Sequence, residues 1–229
     1  MYGMVDTRDA RIGRFRELLE EFCAFARTEG LSVTPYQGDG PRYFLEMPEP
    51  LQEQTLKYFQ AYVEVCREVR DQDQASLRND QLFLWRMFQK LRLHPPSNFM
   101  SEVRDGEVIE IHNHEFVQVY RNLNFFSLCS YTLDDLLCRP FWQLFQRDES
   151  VTNGLVEVGK NVFSSAAPGT QHLHLGEHTV LEIDSPGRFL SVIQHRVVAP
   201  LSDAQGRVSA AVSLVRSISC VRTANGEKY

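Results

Sequence analysis

Residues 122–148 read NLNFFSLCSYTLDDLLCRPFWQLFQRD, and this stretch decides the fold. Four Phe, one Tyr and one Trp make it too aromatic for a surface loop. It is also too interrupted for one long helix. Thr132 ahead of Asp134 and Asp135 is a helix start, with a hydroxyl to cap the first turn and carboxylates at the positive end of the dipole. Pro140 suits an early position in a further short helix. Short helices in series, each with one apolar face, need something flat to pack against.

Strand-like runs on both sides supply that surface. From about residue 101 the apolar spacing has period 2, in Val108-Ile109-Glu110-Ile111 and in residues 116–120. Between them His112-Asn113-His114-Glu115 reads as a tight hairpin. Residues 150–164 carry Leu155, Val156, Val158, Val162 and Phe163, a pattern suited to a helix lying across a sheet, with Gly154 and Gly159 weakening it. Pro168-Gly169 breaks that helix. Three strand-like runs follow at 170–183, 188–199 and 208–218, separated by the turn compositions Ser185-Pro186-Gly187 and Asp203-Ala204-Gln205-Gly206. Residues 221–229 are expected to be a flexible tail.

The first 96 residues have a different texture and read as a helical region. Ile12, Phe15, Leu18, Leu19, Phe22 and Phe25 fall at helical spacing over residues 9–28, and Gly30 is placed to end that helix. Residues 31–50 are rich in Pro and Gly and form a connector, with Tyr43, Phe44 and Leu45 available to pin it to a core. A second helical region runs from Pro50 to about Leu93. There Leu56, Phe59, Val63 and Cys66, then Leu77, Leu84 and Leu91, form heptad fragments interrupted at residues 70–74. A helix pair, or a dimerising helix laid against its own domain, fits this better than a free coiled coil. Pro95 and Pro96 mark a boundary.

Charge and composition exclude several classes. A net charge of −6 with no local basic block argues against a nucleic-acid partner, and Arg67-Glu68-Val69-Arg70 is too mixed to be a DNA-reading face. No apolar run approaches the ~20 residues that cross a bilayer, and the first residues lack a secretory layout. Five scattered cysteines, without a CxxC pair, read as reduced thiols of a cytoplasmic protein. A Gly-rich phosphate loop, a nucleophile elbow and HExxH are all missing, so the expectation is a protein that is not an enzyme.

The order and residues of the second half resemble the PAS domain family over residues 101–219. The matching features are Asn122 closing the second strand, Phe125-Phe126-Ser127-Leu128 after it, and residues 130–137 in the place of the family's GYS-x-EEL segment. Residues 200–208 resemble its P-x-x-D-x-x-G-x-v hairpin. Ser130 and Cys138 depart from it, standing where Gly is common. The resemblance implies an α+β fold: a curved five-stranded antiparallel sheet with short helices on one face, here preceded by the helical region. It also implies a sensor or interaction role in signalling. The expected division is residues 1–96 as dimerising or signalling helices and 101–220 as the PAS-like domain.

A pocket in such a fold lies between the helices and the inner sheet face, with Phe141, Leu144, Phe145, Val158, Val162, Val192 and Val212 as its apolar candidates. So many Phe residues favour a core filled by side chains, with no cavity. Flavin photoreceptors of the family attack the flavin with a Cys in a characteristic helix motif. Residues 138–143, CRPFWQ, do not reproduce it. Haem-binding relatives supply an axial His from the helices, and residues 122–169 contain none. His172, His174 and His178 share parity along one predicted strand, the spacing of a Zn or Cu site, although surface histidines are the more economical interpretation and Gly176 can bulge the strand. The expectation is therefore a non-enzymatic, homodimeric signalling protein, whose PAS-like domain binds a small ligand or a protein partner. A ligand-free adaptor, and an enzyme using the three histidines, are the alternatives.

Overall fold

The computed structural model describes residues 7–164 and 169–223. The expected chain end at 224–229 and the break at Pro168 lie outside them. Helix α1 (Thr7–Thr28) is the first of the described elements and buries Phe15, Leu18, Leu19, Phe22 and Phe25, the face set by their spacing. Gly30, at φ +77, closes it: its N–H bonds the carbonyl of Arg27 and that of Leu31 bonds Ala26. This paired arrangement needs a left-handed residue that Gly supplies without strain.

The expected connector contains a short helix, α2 (Arg42–Glu46). The reason lies 90 residues away. The Asp134 carboxylate accepts from the Tyr43 and Phe44 N–H groups at 2.9 and 3.0 Å, occupying donors that a helix start leaves unpaired. Phe44 is thereby fixed, fully buried, against the Phe15 ring at 4.0 Å. Helix α3 (Glu49–Arg67) runs on through a π-helical turn, Glu68–Gln72, at the interruption in the heptads. Helix α4 (Asp80–Leu91) follows, capped by the Asn79 side chain. Leu77, Leu84, Phe59, Val63 and Cys66 are all buried, so both heptad fragments are turned into the core of this one chain. They offer no free coiled-coil seam.

One antiparallel sheet occupies the second half. Its long strands are β1 (Val108–Asn113), β2 (Gln118–Arg121), β5 (His178–Glu182), β6 (Phe189–Ser202) and β7 (Val208–Arg222), in spatial order β2-β1-β7-β6-β5. Two dipeptide strands add to the five expected. β3 (Phe145–Gln146) pairs with β5, and β4 (Gln171–His172) pairs with β6. Strand β7 reaches Arg222, so residues 221 and 222 belong to the sheet and not to a tail. His112 lies within β1. The turn comes later, where the Asn113 side-chain oxygen accepts from the Glu115 and Val117 N–H groups.

Between β2 and β5 run α5 (Leu123–Phe126), α6 (Leu133–Cys138), α7 (Phe141–Leu144) and α8 (Glu149–Phe163). Thr132 caps α6 reciprocally with Asp135, as its position suggested. Ser130 is used as a serine. Its hydroxyl donates to Glu182 at 2.7 Å and accepts from the Gly187 N–H at 2.9 Å. A Cβ on Gly187 would come within 2.6 Å of Ser130 Cβ, so the two positions fit only as a pair.

Both faces of the sheet are covered. On β2, Tyr120 meets the rings of Tyr62 in α3 and Phe83 in α4, at centroid distances of 5.0 and 5.4 Å. Ile109, Ile111, Val197, Ala199 and Leu214 are fully buried in the core shared with those helices. On the opposite face α8 packs on β6 and β7, while α5 lies against β1, α7 runs into β3, and α6 is held between α2 and α7. A bulge makes both faces possible on one strand. His195 pairs with Val215 and Val197 with Leu214, leaving Arg196 extra. Ion pairs to Glu107 at 2.7 Å and Glu102 at 3.0 Å anchor Arg196.

Asn122 ties the layers together. Its amide nitrogen donates to Asp80 of α4 at 3.0 Å and to the Glu107 carbonyl at 2.7 Å, and its oxygen accepts from the Ile109 N–H at 3.0 Å. Removing all three at a site only 1% exposed leaves buried groups unpaired. Replacing Asn122 with Ala is expected to cost about 3–5 kcal/mol in urea unfolding, against under about 0.5 kcal/mol for an Ala at exposed Gln205.

Candidate functional site

The inner face of the sheet, α7 and α8 frame a partly open cavity of about 180 Å³. The expectation of a completely filled core is therefore corrected. The aromatic residues that were to fill it are divided: Phe15, Phe22, Phe44, Phe59 and Phe83 pack in the helical layer, leaving Phe125, Phe141 and Phe145 as walls. Of the expected pocket residues, Phe141, Phe145, Val158 and Val212 line the cavity. Val162 and Leu144 are fully buried off its wall, and Val192 is half-buried away from it.

The polar part of the wall was not anticipated. β1 contributes Glu110 and His112, β2 contributes Arg121, and β6 contributes His195, all from alternate positions facing inward; Arg147 enters from the segment before α8. Arg121 is 2% exposed and its guanidinium lies over the Phe125 ring at 4.2 Å. Its Nε is 2.8 Å from a Glu110 carboxylate oxygen, off the line of a hydrogen bond, and its Nη1 is buried with no partner. Arg147 lies over Phe141 at 5.1 Å, and its Nε too is buried without a partner. His195 stacks face to face on His178 at 5.2 Å, and its Nδ1 is likewise unpaired.

Burial governs the protonation of this wall. It pushes the His112 imidazole down to about 4 against the pull of Glu110, and that of His195 down to about 3 with help from Arg147. His178 is lowered by the same cause. Burial alone would raise the Glu110 carboxyl, but Arg121 and its neighbours bring it below the usual range. At neutral pH the wall therefore holds two guanidinium cations, one carboxylate and neutral imidazoles.

The three histidines of the expected metal spacing are separated. Residues 173–177 break the predicted strand, so His172 is exposed on β4, His174 is exposed in the connection, and His178 is buried on β5 with its Nδ1 at 3.1 Å from the Gly176 carbonyl. No group of three or more metal-ligating side chains occurs among the described residues. Cys138 ends α6 off the cavity wall. Desolvation and the neighbouring Asp134 carboxylate hold its thiol well above its ordinary value, so it is protonated and a poor nucleophile. No helix among the described residues is long and apolar enough to cross a membrane.

No known family profile and no curated protein matches the chain. Among solved structures it is similar to the light state of the LOV domain of the blue-light photoreceptor Aureochrome1. Identity is 18%, coverage 54% of this chain and 88% of that one, and the TM-score 0.36. It is also similar to the light-state dimer of the fungal blue-light photoreceptor Vivid, at 13% identity, 50% and 79% coverage, and a TM-score of 0.36. A sensory box sensor histidine kinase from Vibrio cholerae gives 12% identity, 54% and 88% coverage, and a TM-score of 0.34.

Neutral buried histidines make stability depend on pH in a definite direction. Their folded pKa values lie below the ordinary 6.5, so the unfolded chain binds more protons once the pH falls below about 6.5. Each one then lowers stability by up to about 1.4 kcal/mol per pH unit until its folded pKa is reached. Asp80 opposes this. Burial raises its carboxyl to about 6, so the native state takes up that proton first and gains stability as pH falls from 6. Substituting His195 with Phe, which keeps a ring stacked on His178, is expected to flatten the fall in unfolding free energy between pH 6 and 5 by about 1.2 kcal/mol. An unchanged slope in chemical denaturation would show that His195 is not held neutral.

Proposed function

We propose that the chain is a PAS-type signalling module, non-enzymatic and cytoplasmic, that binds a small ligand in the inner cavity and relays occupancy to the helical layer. The observation that carries this reading is the position of Arg121. Its side chain forms part of the cavity wall, while its backbone carbonyl accepts a hydrogen bond from the Tyr62 hydroxyl of α3. The next residue, Asn122, bonds Asp80 of α4. A ligand that prefers one placement of the Arg121 side chain biases the end of β2, and with it the seating of α3 and α4. The strand order and the helices on the inner face support the family assignment. Residues 1–96 act as the relay in this scheme. A homodimer would have to form through a surface other than the heptad residues, which are occupied within the chain.

Native mass spectrometry combined with hydrogen exchange tests the reading. Protein as purified should retain a small molecule, and a cavity-filling Ala211→Phe variant should not. Amides of α3 and α4 should exchange at least about threefold more slowly in the loaded protein than in the emptied one, corresponding to under 1 kcal/mol of differential stabilisation. Equal exchange in those helices would contradict the relay.

A further inference from the structure

The cavity's chemistry points to one ligand class. We infer that it takes a small monoanion with an apolar body, a carboxylate about the size of benzoate or hexanoate, held by the free Nη1 of Arg121. The inference rests on the cavity being a ligand site and adds what kind of ligand it admits.

Three observations converge on it. The first is size: a cavity of roughly 150 Å³ is enough for benzene, so one of about 180 Å³ admits a ring or short chain with one small polar group. The second is the wall. Val108, Phe141, Leu155, Val158 and Val180 are apolar and surround one polar end, so the ligand's body must be apolar as well. The third is charge. Arg121 and Arg147 face a single ionised carboxylate, Glu110, leaving one positive charge uncompensated on the cavity wall, where Arg121 itself is only 2% exposed.

The unpaired guanidinium donor gives that charge a direction, and the unpaired imidazole nitrogen beside it donates in its Nδ1–H tautomer. Arg121 Nη1 is buried without a partner, and His195 Nδ1 from the neighbouring wall is also unpaired. Water at this position would satisfy a donor and leave the charge. A ligand carboxylate satisfies both, through a charge-assisted hydrogen bond to the guanidinium. A neutral ligand leaves the excess charge buried, and a cation adds to it. The edge of the guanidinium at Nε is already engaged electrostatically by Glu110, so the ligand meets Arg121 through the remaining edge.

Calorimetric titration of the full chain at pH 7 with benzoate, benzyl alcohol and benzylamine tests the assignment. Benzoate should bind at least about tenfold more tightly than benzyl alcohol, and benzylamine should bind most weakly. Arg121→Gln should abolish the preference for benzoate while leaving benzyl alcohol within about twofold. If that variant fails to fold, Arg147→Gln should weaken benzoate more than benzyl alcohol, because it removes the excess charge without removing Nη1. Benzyl alcohol binding as tightly as benzoate would overturn the anion assignment while leaving the ligand site in place. Failure of all three probes to bind would overturn both.

Discussion

Consecutive residues of a β-strand point to opposite faces, and at the end of β2 that constraint joins everything else in this molecule. Tyr120 faces outward into a cluster of rings from α3 and α4, while Arg121 faces inward onto the cavity. Asn122 then ends the strand by donating to α4 and accepting from β1. Three adjacent residues thus belong to three environments. None can move far along the strand direction without disturbing the other two.

That arrangement explains why a sheet with both faces buried still holds an internal space. The outer face is packed by large aromatic side chains of the helical layer, which close on one another around Tyr62 and Phe22. The inner face carries charged and titratable side chains at alternate positions of β1, β2 and β6, already partly withdrawn from water, and aliphatic residues of α8 line the same cavity without giving them hydrogen-bond partners. A void lined on one side by guanidinium and imidazole groups is what remains when the apolar surface is satisfied and the polar surface is not. The unpaired nitrogen atoms of Arg121, Arg147 and His195 are the residue of that conflict.

Much of the fold was legible because period and punctuation agree. The spacing of Phe15, Leu18 and Phe22 gave α1, Thr132 with Asp135 gave the start of α6, and the turns at residues 185–187 and 203–206 delimited the last strands. The helix α2 was hidden because its support, Asp134, lies 90 residues downstream. The continuous strand expected at 170–183 breaks at 173–177, which separates the three histidines whose parity had suggested a metal site. The cavity was least legible. Glu110 and His112 share parity within an otherwise apolar run, and His195 shares the parity of Ser191 and Ile193, but the bulge at Arg196, held by Glu102 and Glu107, then turns Val197 outward and Val198 onto the cavity. No local pattern around residue 196 specifies the pairing with Glu102 and Glu107, about 90 residues upstream.

The central claim is that the cavity and the helical layer are energetically coupled through β2. Tyr62 tests it directly, because its hydroxyl bonds the Arg121 carbonyl from the outer face and Tyr62 lines no part of the cavity. The decisive measurement is the benzoate affinity of Tyr62→Phe relative to the parent chain, with the variant's unfolding free energy measured in parallel to establish that it remains folded. Coupling predicts a change of at least about fivefold in affinity. An affinity unchanged within error in a folded variant would contradict it.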